Sequence, residues 1–301
     1  MTDRDLLVSR IFLRAALPLT KVLADENPKL KKLFPKRGVV QFTTREAPEV
    51  GAALVFENGE LDVEQGIHPN PQLVLKFKTV SEMNGFFAGK MALPIISGLM
   101  HTHLLLRVLP LLLGLKILMP DAKPTDPKKR ALKVKLLLYM VTNALSQLNK
   151  GGDPEFTKLT KTSPDRVFQW TVTDGPSAYL RIKGGKSKAG RGVYARRRPF
   201  VSMTFPTMDG AYKVLTSEVA LVEAVAGGYV VTERMLAGQI EAISVPANPL
   251  DILAQQTIAA CATGTIDVED WFETVKRSAP FRTLPRSAYE ATLDLLAGKY
   301  P

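Results

Sequence analysis

The chain has 301 residues, of which 46% are hydrophobic and 23% charged. This composition supports sizeable globular cores and argues against a disordered chain, and the length predicts about two domains. A single cysteine, Cys261, excludes an intrachain disulfide and fits a reducing compartment. No secretory signal is visible, because Asp3 and Asp5 lie where a positively charged region would be, so a cytoplasmic protein is expected.

The net charge of +11 is distributed unevenly along the chain. Residues Asp121–Phe200 contain 18 Lys and Arg against 6 Asp and Glu. Clusters such as Lys128–Arg130 and Arg196–Arg198 suit anionic lipid headgroups or nucleic acid phosphates. The alternative is a solvated basic face with no specific partner.

In chain order, an amphipathic helix over Leu6–Leu23 is predicted first, from apolar residues at helical spacing. A repeated segment follows, at Val40–Lys90 and again at Phe168–Glu218. Equivalent residues lie 128 or 126 positions apart: Gln41 and Gln169, Pro71 and Pro199, Phe77 and Phe205, Leu54 and Leu180, Gly59 and Gly185, Gly66 and Gly192. Such a repeat indicates one supersecondary unit built twice.

Each copy has the pattern of strand, hairpin, strand, loop, strand and helix. Asn58-Gly59 predicts a tight hairpin turn, and Gly184-Gly185 takes the same place in the second copy. The next strand alternates in both copies, and Ser81 and Asp209 are predicted to cap the helices that follow.

The most apolar stretch of the chain is Leu93–Met119. Its length would cross a bilayer, but Arg107 near its middle, with Lys116 and two histidines, makes insertion costly. Pro110 is predicted to break the helix into two pieces. A buried or interfacial helix pair is therefore favoured over a membrane span.

The rest of the chain is predicted to be mainly helical outside the second copy. The predicted helices are Lys133–Leu148, Val230–Gly238, Asn248–Cys261, Asp267–Ser278 and Ser287–Ala297. The fold class expected is α+β, with duplicated mixed β-sheets covered by helices and an all-α C-terminal segment. Three regions are predicted: 1–150 with the first unit, 151–229 with a second and incomplete unit, and 230–301.

Signals for catalysis are weak. His101 and His103, two residues apart, point to different faces of a helix and do not chelate one metal well. Gly185-Lys186-Ser187 resembles the end of a phosphate-binding loop, but Arg181 replaces the glycine that such a loop requires. No catalytic residue, metal or cofactor is predicted, and the chain is not expected to be an enzyme. The paired apolar faces make either a filled core or a core with a cavity.

The two copies resemble the sterol carrier protein 2 family over about Val39–Gly228. PQLVLKF and SEMNGFFAGK carry the resemblance in the first copy, and PFVSMTFPTMDGAYKVL in the second. The resemblance implies a sheet covered by helices, and a tunnel for a sterol, fatty acyl chain or other apolar lipid. The residues implied to face the tunnel are Phe77, Phe86, Phe87 and Met91, with Met203, Phe205 and Leu215 in the second copy. Only the first copy has the long apolar extension.

The tail, Val230–Pro301, resembles part of a large helicase-related (Lhr-type) ATP-dependent helicase. Asn248–Gln256 and Leu284–Tyr289 carry this match. The chain has no Walker A loop or Asp-Glu-x-His box, and from Tyr229 onward it has 6 Lys and Arg against 9 Asp and Glu. The leading prediction is non-enzymatic lipid binding, with peripheral contact to anionic membranes. The alternative is a nucleic-acid-associated helicase fragment, joined to the repeats by a gene fusion or a joined reading frame.

Overall fold

The structure is a computed structural model that describes residues 2–232 and 246–299. The chain divides into two compact units, Met1–Gln239 and Ile240–Pro301. The first unit contains both copies of the repeat. The second unit is helical over the residues described.

Each copy of the repeat forms one five-stranded mixed sheet. The strands of the first sheet are β1 (Arg37–Thr44), β2 (Gly51–Glu57), β3 (Glu60–Gln65), β4 (Leu73–Phe77) and β5 (Ile95–Ser97), in the order β3-β2-β1-β4-β5. Those of the second are β6 (Arg166–Val172), β7 (Ser177–Lys183), β8 (Lys186–Arg191), β9 (Val201–Phe205) and β10 (Val231–Thr232), in the order β10-β9-β6-β7-β8. β1 and β4 are parallel, as are β6 and β9, and the other pairs are antiparallel. The predicted α+β class with mixed sheets is confirmed.

A buried glutamine ties the first sheet to the loop after β3. The amide nitrogen of Gln41 donates to the carbonyl oxygens of Phe42, Ala52 and Gly66 at 2.8, 3.1 and 3.0 Å. Its amide oxygen accepts the backbone N–H of His68 at 2.8 Å. Both the nitrogen and the oxygen of this buried amide group therefore have hydrogen-bond partners.

Gln169 makes the same set of hydrogen bonds in the second sheet. Its nitrogen donates to the carbonyl oxygens of Trp170, Ala178 and Gly192 at 3.2, 3.1 and 3.3 Å. Its oxygen accepts the N–H of Tyr194 at 3.0 Å. The partners of Gln169 lie 128 or 126 positions beyond those of Gln41. The two copies therefore share individual hydrogen bonds as well as the order of their strands.

The fifth strands are also equivalent, although the sequences before them differ. Ile95 lies opposite Lys76 in the first sheet, and Val231 lies opposite Thr204 in the second. The prediction that the second copy stops near Gly228, with a helix from Val230, is therefore wrong at Val231–Thr232. Two β-branched residues favour a strand there, and the open edge of β9 supplies its partner. The remainder of the predicted helix, from residue 233, lies outside the described residues.

Helices surround both sheets. In the first unit they are α1 (Asp3–Ile11), α2 (Leu19–Glu26), α3 (Pro28–Lys31), α4 (Val80–Phe87), α5 (Thr102–Gly114), α6 (Pro127–Lys150), α7 (Pro154–Thr162), α8 (Met208–Leu215) and α9 (Leu221–Ala226). A π-helical turn, Phe12–Ala16, joins α1 to α2, and 3₁₀ turns flank α5 at Leu99–His101 and Leu115–Leu118. The predicted helix over Leu6–Leu23 is thus confirmed, as two helices with a π turn between them.

Threonines, not the predicted residues, cap the repeated helices. The hydroxyl of Thr79 accepts the N–H of Glu82 at 3.1 Å, and that of Thr207 accepts the N–H of Gly210 at 3.0 Å. Each threonine is extended and lies just before the helix, as a capping residue must. The predicted caps Ser81 and Asp209 lie within the first turn.

The N-terminal helices contribute to the cores of both repeats. Leu13 and Leu17 pack with residues of the first sheet, such as Phe42, whereas Leu19 and Leu23 belong to the core of the second repeat. Helix α6 contacts β7, β8 and α8 of the second repeat as well as α1 and α2. The helix over 127–150, which the predicted boundaries place with the first unit, lies against the second sheet.

Helix α5 is continuous through Pro110. The proline removes the hydrogen bond to the carbonyl of Leu106, four residues earlier. Leu106 lies on the exposed side of the helix, where water is at hand for a free backbone carbonyl. The predicted break into two helices is wrong, because Pro110 lies inside α5.

The C-terminal unit contains α10 (Leu250–Cys261), α11 (Val268–Lys276) and α12 (Arg286–Leu296), with a 3₁₀ turn at Ala279–Phe281. These helices confirm the last three of the predicted segments. Its core contains Leu253, Phe272, Val275, Phe281, Leu284 and Tyr289. The hydroxyl of Tyr289 donates to the carbonyl of Val268 at 2.8 Å, which fixes the start of α11 to α12.

Candidate functional site

A groove of about 350 Å³ opens between the end of α4, the loop after it and α5. Aromatic and aliphatic side chains form most of its wall, with Lys90 and Lys116 at its edge. Its lining residues are Phe86, Phe87, Gly89, Lys90, Met91, Ala92, Leu93, Leu109, Leu112, Leu113, Leu115, Lys116 and Met119. An apolar wall with a few charges is the usual character of a small-ligand pocket.

Three of the predicted site residues, Phe86, Phe87 and Met91, line this groove. Phe77 is fully buried beneath it, with its ring centroid 5.2 Å from that of Phe86. The rings of Phe86 and Phe87 are 5.5 Å apart in an edge-to-face arrangement. The aromatic residues therefore form a packed floor, and the open volume lies above them, towards α5.

The predicted residues of the second copy lie elsewhere. Phe205 is buried, and Met203 and Leu215 are partly buried against the same core cluster. None of the three lines the groove. The structure brings these residues together in the second core but does not bring them to the residues from the first copy.

Sequence reasoning missed the opposite wall of the groove. Leu109, Leu112 and Leu113 come from α5, inside the stretch that was recognised only as apolar. Their spacing of three and four residues is the signal that places them on one side of a helix. Which side would face the groove depends on how α5 folds back over the sheet.

A buried lysine holds the end of this wall. The amine of Lys133, on α6, donates to the carbonyl oxygens of Met119 and Ala122 at 2.9 and 2.5 Å. Burial lowers the pKa of this amine, although Asp121 and Glu218 oppose the shift. The turn after α5, which includes the groove residue Met119, is thereby tied to a helix of the second repeat.

The segment Leu99–Leu118 is, among the described residues, long and apolar enough to cross a membrane by length and composition. One face of it is nevertheless packed: Leu104, Val108 and Leu111 are buried in the first core. The other face is exposed and includes Leu106 and Leu113. The segment is thus packed on one face and exposed on the other, and the choice between an interfacial helix and a span stays a prediction.

Exposed cations gather along β8 and the loop after it. Lys186, Lys188, Arg191 and Arg196 are exposed on this part of the second repeat. Nearby, Asp165 accepts two hydrogen bonds from Arg181 at 2.9 and 2.7 Å, which lower the pKa of the Asp165 carboxyl.

The most strongly paired cation described in the C-terminal unit is Arg286. Arg286 pairs with Glu269, and its Nε donates to Glu290 at 2.7 Å. The hydrogen bond from Arg286 lowers the pKa of Glu269. Over residues 246–299 there are 5 Lys and Arg against 7 Asp and Glu. Acidic residues therefore outnumber basic ones in the described part of this unit.

No group of three or more His, Cys, Asp or Glu within residues 2–232 and 246–299 is arranged to hold a metal ion. The rings of His101 and His103 have centroids 6.0 Å apart, and His101 is half-buried whereas His103 is exposed.

Residues 233–301 match the winged helix domain of the large helicase-related protein. The chain is 61% identical over 75 residues to the Lhr helicase/probable uracil glycosylase of Mycolicibacterium smegmatis, and 50% identical over 72 residues to the Lhr helicase/uracil glycosylase of Escherichia coli. It is 37% identical over 62 residues to the ATP-dependent helicase Lhr-Core of Saccharolobus solfataricus. These matches cover 25%, 24% and 21% of this chain. They span only 5%, 5% and 7% of the helicases.

The C-terminal region therefore carries an Lhr-type winged-helix domain, which confirms the resemblance of the tail. The match begins at residue 233, immediately after β10 ends at Thr232. None of these matches supports the sterol-carrier-like resemblance of the repeats, which stays a prediction. A structure of a sec-alkyl sulfatase PisA1 variant aligns over 44% of this chain and 26% of its own, with 14% identity and a TM-score of 0.22, which is too low to assign a fold.

Proposed function

We propose that the chain is a nucleic-acid-associated protein without enzymatic activity, in which the C-terminal unit acts as an Lhr-type winged-helix segment. The observation that supports this most strongly is the 61% identity over 75 residues to a helicase of this type. ATP hydrolysis is not part of the proposal, since the matched segment is a small share of the helicases and residues 1–301 contain no phosphate-binding loop.

The distribution of charge indicates which of the two units would bind nucleic acid phosphates. The described C-terminal residues are slightly acidic, and Arg286 is already paired with Glu269. Affinity for phosphates depends on released counterions and hence on exposed Lys and Arg. We propose that the exposed cations of β8 and its following loop supply that affinity, and that the winged-helix segment positions the chain on its partner.

Fluorescence anisotropy with single- and double-stranded DNA and RNA, over a range of salt concentrations, tests this proposal. Replacing Lys186, Lys188 and Arg191 by Ala should weaken binding and reduce the slope of log K against log salt by about 0.9 for each lost contact to B-form DNA. A control with Lys29, Lys32 and Lys36 replaced by Ala has the same change in net charge, on α3 and the loop between α3 and β1. Equal losses in both variants, or no salt-dependent binding by the full chain, would refute the proposal.

A second candidate function is the binding of an apolar ligand in the groove. The observation in its favour is that Phe86, Phe87 and Met91, expected from the sequence, line a groove of about 350 Å³. This volume is near the lower end for small-molecule sites, so one acyl chain is a better fit than a bulky lipid. Burial of apolar surface, at about 25 cal/mol per Å², would drive binding.

Titration of delipidated protein with a fluorescent fatty acid tests the second candidate. Leu113→Trp should fill the groove and abolish binding, because Leu113 lines it. Leu106→Trp is the matched control on the same helix, since Leu106 is exposed and does not line the groove. Binding that is equal in the two variants would count against the groove as the site.

A further inference from the structure

An unusually apolar surface surrounds the groove mouth and follows α5. Met91, Leu93, Leu99, Met100, Leu106 and Leu113 are 96%, 88%, 70%, 92%, 72% and 47% exposed, and together we call them the docking face. Single exposed apolar residues are ordinary, but six large ones within 23 residues of chain, three of which line one groove, mark an interaction surface.

The geometry of α5 separates an exposed side of the helix from a buried side. Leu106 and Leu113 are seven residues apart in α5 and so project from the same side. The opposite side, with Leu104, Val108 and Leu111, is buried in the first core. The segment therefore meets its partner lengthwise, because crossing a bilayer would pull these core residues out of the fold.

The charged residues within the chain segment that carries the docking face all have one sign. No Asp or Glu occurs between Glu82 and Asp121, whereas Lys90, Arg107 and Lys116 are all exposed. Lys90 and Lys116 line the same groove as Met91, Leu93 and Leu113, so the cations lie beside the apolar side chains. An apolar surface with a cationic border complements lipid tails with anionic headgroups above them.

We propose that the docking face inserts into the surface layer of an anionic lipid bilayer. The six apolar side chains enter the acyl boundary, and Lys90, Arg107 and Lys116 extend to the phosphates through their long aliphatic stems. The groove mouth then opens at the membrane surface. This inference does not require a ligand in the groove.

A second copy of the chain is a poorer occupant of this face. A twofold symmetric interface would place the face against itself, as such interfaces use the same patch on both subunits. Three cations of each copy would then meet three of the other, and residues 83–120 offer no carboxylate to pair with them. A bilayer with anionic headgroups removes this repulsion.

Vesicle flotation tests the proposal with phosphatidylcholine vesicles that contain or lack phosphatidylglycerol. Replacing Met91, Leu93 and Leu106 by Ser should lower the partition coefficient about a hundredfold or more, because three large apolar side chains no longer insert. The control replaces Ile67, Leu159 and Val193, which are 50%, 55% and 66% exposed, by Ser and should change the partition coefficient by less than about twofold. Replacing Lys90, Arg107 and Lys116 by Gln should lower binding to the anionic vesicles by about tenfold or more and leave binding to neutral vesicles nearly unchanged.

Sedimentation velocity of the same proteins separates the competing occupant. If the serine variant converts a dimer into a monomer while its vesicle binding is unchanged, a second copy covers the face and the proposal is overturned. The proposal is also overturned if the control variant loses vesicle binding as strongly as the docking-face variant, or if the full chain does not float with either vesicle.

Discussion

Replacing Gln41 with Leu tests the repeated glutamine network. Leucine retains the burial of the side chain but removes all four hydrogen bonds of the Gln41 amide group. The same change at Gln169 removes the equivalent bonds in the second sheet. The two variants compare one interaction in two copies of the same fold.

The magnitude follows from the groups left without a partner. The N–H of His68 and the carbonyl of Gly66 lie in the loop after β3, where the side chain of Gln41 is their hydrogen-bonding partner. A buried polar group without a partner costs about 1–3 kcal/mol, and both of these groups are only partly buried, so Gln41→Leu should lower the free energy of unfolding by about 2 kcal/mol. The bonds of Gln169 to Trp170 and Gly192 are longer, at 3.2 and 3.3 Å, so Gln169→Leu should cost less.

Urea unfolding, followed by far-UV circular dichroism and tryptophan fluorescence, gives both free energies. A matched Gln65→Leu variant controls for the loss of a glutamine, because Gln65 makes one hydrogen bond from an exposed position at the end of β3. A loss below about 0.5 kcal/mol at Gln41 would refute the reasoning, since that is the range of ordinary surface substitutions. A larger loss at Gln169 than at Gln41 would refute the ranking.

Three further predictions concern other parts of the chain. Gly98→Ala should lower the free energy of unfolding, measured by urea titration, by about 2 kcal/mol, because Gly98 has φ of +86° and an added Cβ would lie 2.0 Å from the carbonyl oxygen of Gln72. Gly59→Ala is the control for the backbone effect alone and should cost less, because Gly59 has φ of +78° and no atom within 4 Å of the added Cβ. Tyr289→Phe should destabilise the C-terminal unit by about 1 kcal/mol through the lost hydrogen bond to Val268, seen as a lower transition temperature in calorimetry of the full chain, and an unchanged transition would contradict it. Asp165→Asn should lower the free energy of unfolding at neutral pH. This difference from the parent protein should vanish as the pH falls from the ordinary pKa of 3.8 through the lowered pKa of Asp165, because the folded state binds the proton less readily than the unfolded state. A difference in the free energy of unfolding that persists at the acid end would contradict this.

The sequence predicted the local elements of the repeat because each follows from a short pattern. The hairpin at Asn58-Gly59 needs only a residue pair with positive φ, and both residues have it. The alternation in β4 and β9 places Phe77 and Phe205 on the buried side, as found. The predicted caps Ser81 and Asp209 are each two residues too late in the chain. The exact start of a helix depends on backbone angles that composition does not define.

Contacts between distant segments were less predictable. Helix α6 has an apolar face, but its sequence does not say whether that face meets the first sheet or the second. The resemblance predicted the groove residues of α4 and of the loop after it. It did not predict Leu109, Leu112 and Leu113, because their place in the groove depends on how α5 packs. The strand at Val231–Thr232 was missed because two residues carry no periodicity.

The helices shared between the two cores have a consequence for how this protein responds to dilution. Leu17 completes the first core and Leu19 the second, only two residues away along the chain. The two repeats thus behave as a dimer whose subunits are covalently joined. An obligate dimer loses stability when its concentration falls, but here the partner is always present on the same chain. The melting temperature of the N-terminal unit should therefore be independent of concentration, and neither repeat should fold alone when expressed as half of the chain.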